Sequence, residues 1–383
     1  MKVCVDVSPA VHGRAGIGRY VLELVTALTG QDATAEYTIF YNRAHEAQMP
    51  VSWQHLERIA FPLRDKPWRL QVLLAHLAKL SQDHLFPNIA LFHATDNLLP
   101  CLKKTHSVLT VHDLAFRFYP ETFTSLNRWF QLLTMGTFLA RAHAVIALSQ
   151  NTKRDVMQLY GIDESKITVV YGGVNPRFQP ASTSEVERVR TRYHLPERDI
   201  LFVGSIEPRK NLKSLLAAFS AVKQQREVID PVKLVIAGKK GWLYADFFQQ
   251  LRTSGLDGEV ILPGFIADED LPALYSAADV FVFPSWYEGF GLPVLEAMAC
   301  GAPVICSNVS SLPEVVGEAA LMVAPDDIRG LSQAISRTLT DAALRQELIG
   351  RGLRQAAQFT WEKAAQQTLM IYEEVAARGG RKR

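Results

Sequence analysis

Between Ser285 and Ile305 the chain reads SWYEGFGLPVLEAMACGAPVI, with Glu288 and Glu296 on either side of a glycine-rich turn. The apolar run DVFVFP before it predicts a buried strand. Pro293 suits the first position of a helix and Gly301 supplies its stop. Glu288 is thus expected in the loop and Glu296 in the first helical turn. The amides of Phe290, Gly291 and Leu292 are expected at the helix N-terminus, where orphan N–H groups and the positive dipole end hold phosphate. A carboxylate in such a place needs another partner, and carboxylates accept hydrogen bonds from hydroxyls. The combination points to a ligand with a diphosphate in its middle and a polyol at each end, as in a nucleotide sugar. Glu296 would take the ribose and Glu288 the sugar. Taken alone, a first-turn glutamate more often only complements the helix dipole.

A second group lies in GSIEPRKNLKSLLAAF, where Arg209 and Lys210 follow the strand DILFVG and Asn211 is placed to cap the next helix. Two cations there can neutralise a departing diphosphate, although adjacent cations in a loop more often simply face solvent. In the first half, TVHDL sets His112 and Asp113 at a strand end, a position where a histidine is as often structural as functional. AGIGRY puts Gly16 and Gly18 after the first strand, where glycines let the backbone approach a ligand. Asp268-Glu269-Asp270 formally matches a metal-binding D-x-D, but it precedes the helix LPALYSAA, where acidic caps are expected. No metal and no cofactor is expected, the nucleotide sugar being a substrate.

Two sets of elements must position these groups. KVCVDVSP, YTIFYN, ALFHAT, SVLTVHDL and AVIALS read as buried strands alternating with helices, the first helix being stopped by Gly30. Near Tyr171 the pattern resets through VVYGGVNPRFQP. A second series follows: DILFVG, VKLVIAG, EVILPGF, DVFVFP, PVICS and ALMVAP. The expectation is α/β, with one Rossmann-like domain over 1–175 and another over 176–362. A final amphipathic helix, FTWEKAAQQTLMIYEEVAARGGRKR, ends in a basic tail expected to be disordered. RDKPWRLQVLLAHLAKL, residues 64–80, is a basic amphipathic helix with Trp68 and Leu73 among its apolar positions. It fits a bilayer surface or the protein's own core equally well.

Composition limits the classes. At 383 residues the chain exceeds one ordinary core and fits two domains of roughly 150–200 residues each. Apolar residues make up 48% and the net charge is +2, a globular profile that argues against a nucleic-acid partner. The four scattered cysteines form no pair with metal-like spacing and fit a reducing compartment. Without a signal-like or membrane-spanning run, a cytoplasmic protein is expected, with peripheral contact at the inner face of the membrane as an option.

E-G-F-G-L-P-V-L-E, continuing through EAMACGAPVICSNVSSLPEVVG, resembles the E-x7-E signature of retaining glycosyltransferases of family 4. The resemblance implies the GT-B fold, two Rossmann-like domains whose parallel sheets face a central cleft, with residues 363–383 crossing back onto the first. It makes E-P-R-K-N a phosphate clamp, gives His112 the donor sugar, and places Asp113, Gly16 and Gly18 at donor or acceptor. Gly264 and Phe265 become the base-contacting loop. Ser205 departs from the family's frequent arginine, shifting charge onto Arg209. The implied activity is transfer of a hexose from a nucleotide sugar, UDP-glucose-type slightly favoured over GDP-mannose. The acceptor would be a saccharide or lipid-linked hydroxyl in cell-surface polysaccharide synthesis. A nucleotide-sugar epimerase of the same fold and a non-catalytic sugar-nucleotide-binding protein are the competing readings.

Overall fold

A computed structural model describes residues 1–31, 35–43, 49–224 and 231–380. The chain divides into two compact units. One comprises Met1–Arg117, Ser125–Gly173 and the segment from Thr360 onward; the other comprises Phe118–Thr124 and Val174–Phe359.

Among the described residues the first unit holds seven strands: β1 (Lys2–Asp6), β2 (Glu36–Asn42), β3 (Glu57–Phe61), β4 (Leu91–Ala94), β5 (His106–Val111), β6 (Ala144–Ala147) and β7 (Ile167–Val169). They pair in the order β3-β2-β1-β4-β5-β6-β7, every neighbour parallel. The second unit holds six: β8 (Asp199–Val203), β9 (Lys233–Ala237), β10 (Val260–Gly264), β11 (Val280–Phe283), β12 (Val304–Ser307) and β13 (Ala320–Val323). Their order is β10-β9-β8-β11-β12-β13, again all parallel. Both sheets therefore grow outward on one side of their first strand and then switch to the other, the doubly wound order. Covered on two faces, central strands such as VFVF and VICS are buried throughout, and only Ser307 among their residues is polar.

Two strands were not expected from the sequence, β3 and β7, and each lies at an edge of its sheet. β3 shows no fully buried residue and so carries no apolar run to read. Gly30 does not stop the first long helix but lies inside it, Ile17–Gln31. The tail Arg381–Arg383 falls outside the described residues.

The last helix, Trp361–Gly380, belongs to the first unit. Trp361 meets Tyr20 edge-on at 5.6 Å, and Tyr372 hydrogen-bonds His93 Nδ1 at 2.6 Å. Burial, helped by His112, holds the His93 imidazole down at about 3, so this link is made by a neutral ring. Conversely, Phe118–Thr124 leaves the first half of the chain for the second unit, where Phe118 stacks on Tyr287 at 5.5 Å and Trp242 Nε1 donates to the Thr122 carbonyl at 2.6 Å.

The helix expected over 64–80 spans Asp65–Leu77, and of its two readings Trp68 and Val72 follow the core. Trp68 and Val72 are buried, and Trp68 packs on Phe61 at 4.6 Å and on Phe40 at 5.6 Å. Among the described residues no helix is long and apolar enough to cross a membrane.

Candidate active site

Because the strands are parallel, the loops after β8 to β13 all emerge at one edge of the second sheet. Those after β8 and β11 bring two cations and a carboxylate together. Pro208–Lys210 forms a single tight turn, and Asn211 follows in the left-handed region at φ 55°. The Lys210 ammonium lies 2.6 Å from Glu288 Oε1, and Arg209 Nη1 lies 2.9 Å from Glu288 Oε2. One carboxylate is thus held between two cations, all three side chains largely buried. Burial alone raises the Glu288 carboxyl, but Arg209 and Lys210 outweigh it and hold the group down at about 2. Lys210 also lies 4.9 Å from the centre of the Phe283 ring.

Sequence reasoning gave Glu207, the first residue of E-P-R-K-N, no role of its own. It is buried and accepts from Arg209 Nη2 at 2.9 Å, so the two cations are matched by two carboxylates. The Glu288 backbone is fixed from the loop after β12: its amide donates to Ser310 Oγ at 2.9 Å, and Ser311 Oγ donates to its carbonyl at 2.9 Å. The signal was present in SNVSSLPEV, but nothing in those residues names the partner they hold.

Three expectations are corrected here. Glu296 is not in the first turn: its helix, Leu292–Ala299, starts one residue early, and Glu296 lies beyond that turn, buried. Its Oε2 accepts from the Tyr275 hydroxyl at 2.9 Å, a contact across 21 residues that a dipole argument does not foresee. Asn211 stands at the N-cap position yet makes no side-chain cap. Its left-handed backbone turns the amide away to donate to the Pro284 and Pro325 carbonyls at 3.0 and 2.7 Å, tying three loops together. Asp270 likewise precedes its helix without capping it; its carboxylate meets Arg188 and Arg192 at 2.7 and 2.8 Å.

The remaining positions of this unit flank the same edge. Phe290 is buried, 5.8 Å from the Phe359 ring, while Gly291 takes φ 101° and opens the helix of Leu292. Ser205 is half-buried after β8. The Gly204 carbonyl comes so close to Gly238 that a Cβ there would sit 2.0 Å away. Gly264 ends β10 at φ 79°, and Phe265 is exposed with the Lys239 ammonium 4.3 Å from its ring centre.

In the first unit, His112 and Asp113 follow β5. His112 Nε2 donates to the Thr95 carbonyl at 2.7 Å, and Tyr20 meets the ring edge-on at 5.0 Å. Asp113 accepts from the Ala115 amide at 3.0 Å. Gly16 is open and left-handed, as a flexible loop needs, but Gly18 is corrected. It lies inside the helix, and a Cβ would fall 2.8 Å from the Pro9 carbonyl oxygen, so its smallness serves helix packing. Sequence reasoning also overlooked an acidic group at this edge. Arg14 bridges Asp96 at 2.7 Å and Asp65 at 2.8 Å, and burial raises the nearby Asp6 carboxyl to about 6 despite hydrogen bonds from Ser8.

Two doubly wound parallel sheets with a cation–carboxylate cluster at a strand-end edge are the architecture of a GT-B glycosyltransferase. Solved structures agree on the fold. Sucrose-phosphate synthase from Thermosynechococcus elongatus superposes with a TM-score of 0.77 at 23% identity, covering 99% of this chain and 100% of that one. Anabaena HepE, solved with UDP and glucose, gives 0.73 at 20% identity, covering 97% and 99%. Residues 14–178 match the family model described as Glycosyltransferase Family 4, and residues 184–355 match Glycosyl transferases group 1. The chain belongs to the family 4 glycosyltransferases. It is 32% identical over 383 residues to O-antigen chain mannosyltransferase B of Escherichia coli, spanning 97% of this chain and 100% of that protein. It is also 36% identical over 229 residues to the serotype-specific mannosyltransferase WbdA of Escherichia coli, covering 59% of this chain and 28% of that longer protein.

Proposed function

We propose that this glycosyltransferase moves mannose from a nucleoside diphosphate to a saccharide or lipid-linked hydroxyl in surface-polysaccharide assembly, with the anomeric configuration retained. The observation that carries the reading is the Glu288 carboxylate clasped by Arg209 and Lys210 beside a helix N-terminus. Such an arrangement keeps two cations in place until a diphosphate arrives to share them. The mannosyltransferase names of the relatives move the donor from UDP-glucose, favoured on the resemblance alone, to a mannose donor with GDP as the expected base.

In this reading the bond from the anomeric carbon to the diphosphate oxygen breaks first. Its electron pair leaves with the diphosphate, and Arg209, Lys210 and the amides of Gly291 and Leu292 stabilise the growing charge. The acceptor oxygen then bonds to the oxocarbenium-like carbon from the departing side, and its proton passes to the diphosphate. Glu288 orients the sugar hydroxyls, Glu296 the ribose, and His112 is proposed to act on the donor sugar. Ser205 adds a hydroxyl to the phosphate site, and the backbone at Gly264 and Phe265 meets the base. The cations take the role a metal would otherwise fill, so the reaction is proposed to be metal-independent. The acceptor is proposed to be met at a membrane surface.

Thermal unfolding with GDP, UDP or ADP, each with and without EDTA, tests the donor site. A nucleotide at about 100 times its dissociation constant stabilises by roughly 2.7 kcal/mol. GDP alone raising the melting temperature, unaffected by EDTA, is the expected outcome. A shift only with UDP would return the donor to UDP-glucose. No shift from any nucleotide would remove the phosphate site.

A further inference from the structure

The helix Asp65–Leu77 buries Trp68 and Val72, yet its outer side is not polar. Leu70, Leu74 and Leu77 follow one another at helical spacing and are each more than half exposed. The helix Ser125–Arg141 repeats the pattern with Leu126, Trp129 and Leu133, again each more than half exposed. Arg69 joins the two helices: its Nη1 donates to Asn127 Oδ1 at 3.4 Å, and its guanidinium lies 5.5 Å from the Phe130 ring centre. Single exposed leucines are ordinary on a protein surface. Six large apolar side chains in two helical stripes, one of them tryptophan, form the kind of patch that marks an interaction site.

The charge around the patch selects its partner. Residues 64–80 carry Arg64, Lys66, Arg69 and Lys79 against Asp65 alone, and residues 125–141 carry Arg128 and Arg141 with no acid. Asp65 is already held by Arg14 and Arg69, while Arg64, Lys66 and Lys79 are exposed. A second copy docked face to face would set these cations against themselves, and like charges disfavour that pairing. An anionic bilayer offers what both features lack: phosphates for the cations and an acyl boundary for the leucines and tryptophan.

We infer that this two-helix face seats the protein on an anionic lipid bilayer, Leu70, Leu74, Leu77, Leu126, Trp129 and Leu133 entering the headgroup region. The inference rests on the proposed function only in giving a lipid-linked acceptor a place to be met. Its test requires no transfer.

Full-length protein is co-sedimented with phosphatidylcholine vesicles, with and without phosphatidylglycerol. Strong pelleting that depends on phosphatidylglycerol and weakens with salt is expected. Leu74→Ser/Trp129→Ser/Leu133→Ser, at exposed positions outside the core, lowers the partition coefficient on the order of 100-fold. Arg64→Gln/Lys66→Gln lowers it roughly tenfold on the anionic vesicles only. An unchanged melting temperature shows that each variant is folded. Equal pelleting of wild type and the triple variant would overturn the inference. So would lipid-free self-association, seen by sedimentation equilibrium, that the triple variant abolishes, since it assigns the face to a second copy. Vesicle binding without any nucleotide-induced thermal shift would leave this inference standing and strike only the donor site.

Discussion

At the edge of the second sheet a buried glutamate sits between two cations. At the equivalent edge of the first, one arginine is shared by Asp65 and Asp96, with Asp6 beside them. The two sheets share a strand order from their first strand outward, yet Glu288 and Asp6 respond to protons in opposite senses. Cations outweigh burial at Glu288 and pull its carboxyl down to about 2, whereas burial prevails at Asp6 and pushes it up to about 6. A doubly wound sheet supplies a place for ligands at its strand ends, and the side chains in the loops decide which chemistry that place accepts. In the proposed function the second edge takes the anion and the acid-rich first edge takes hydroxyls.

The largest expected effect is on turnover. Lys210→Ala should lower the rate at saturating donor by on the order of 100-fold or more, measured in a transfer assay. A wild-type rate would break the contrast, because the second edge would then not be an anion site.

Stability comes next. Lys210→Met leaves Glu288 buried with one cation fewer and should cost about 3–5 kcal/mol in urea unfolding. Lys210→Met/Glu288→Leu removes both partners and should recover roughly half of that loss. A double variant as unstable as the two single changes added together would show the pair to be uncoupled.

The opposite proton responses give a finer test. The depressed Glu288 carboxyl stabilises the fold fully above its ordinary value of 4.5, and that contribution, on the order of 3 kcal/mol, is lost as pH falls toward about 2. The raised Asp6 carboxyl works the other way. The fold is favoured below the ordinary value of 3.8 and loses up to about 3 kcal/mol as pH rises through about 6. Melting temperatures across pH should therefore separate Glu288→Gln from wild type mainly above pH 4.5, and Asp6→Asn mainly above pH 6. Asp6→Asn following the wild-type curve throughout would remove Asp6 from the contrast.

The smallest effect sharpens the first edge. Gly18→Ala, with its Cβ against the Pro9 carbonyl, should cost about 1–3 kcal/mol. Gly16→Ala has open space and pays only for its left-handed backbone, about 1 kcal/mol. The reverse order, measured by urea unfolding, would return Gly18 to the ligand loop.

Reading from sequence succeeded where one short segment carries the whole signal. The strand runs DILFVG, DVFVFP and PVICS are apolar because both faces of a parallel sheet are covered, so burial is written into consecutive residues. It failed at β3, an edge strand with no fully buried residue, and at Phe118–Thr124, whose attachment to the second unit depends on Tyr287 and Trp242 far along the chain. In the site, Glu288, Arg209 and Lys210 were legible as charges on loops, but Glu207, though inside the E-P-R-K-N motif, was given no role, because its task is defined by the arginine it faces. The side of the helix that Trp68 occupies was left open for the same reason: a helix shows its apolar residues to a reader without showing which side the core occupies.

The sequence by itself determined the alternation of strand and helix, the family, and the charged loops that emerge at strand ends, since each follows from local composition and short spacing. Only the tertiary structure decided that Glu288 lies between both cations, that Glu296 is buried against Tyr275, and that Leu74 and Trp129 remain on the surface. Those outcomes depend on contacts between segments tens of residues apart, where electrostatics and burial act through distance in space and not along the chain.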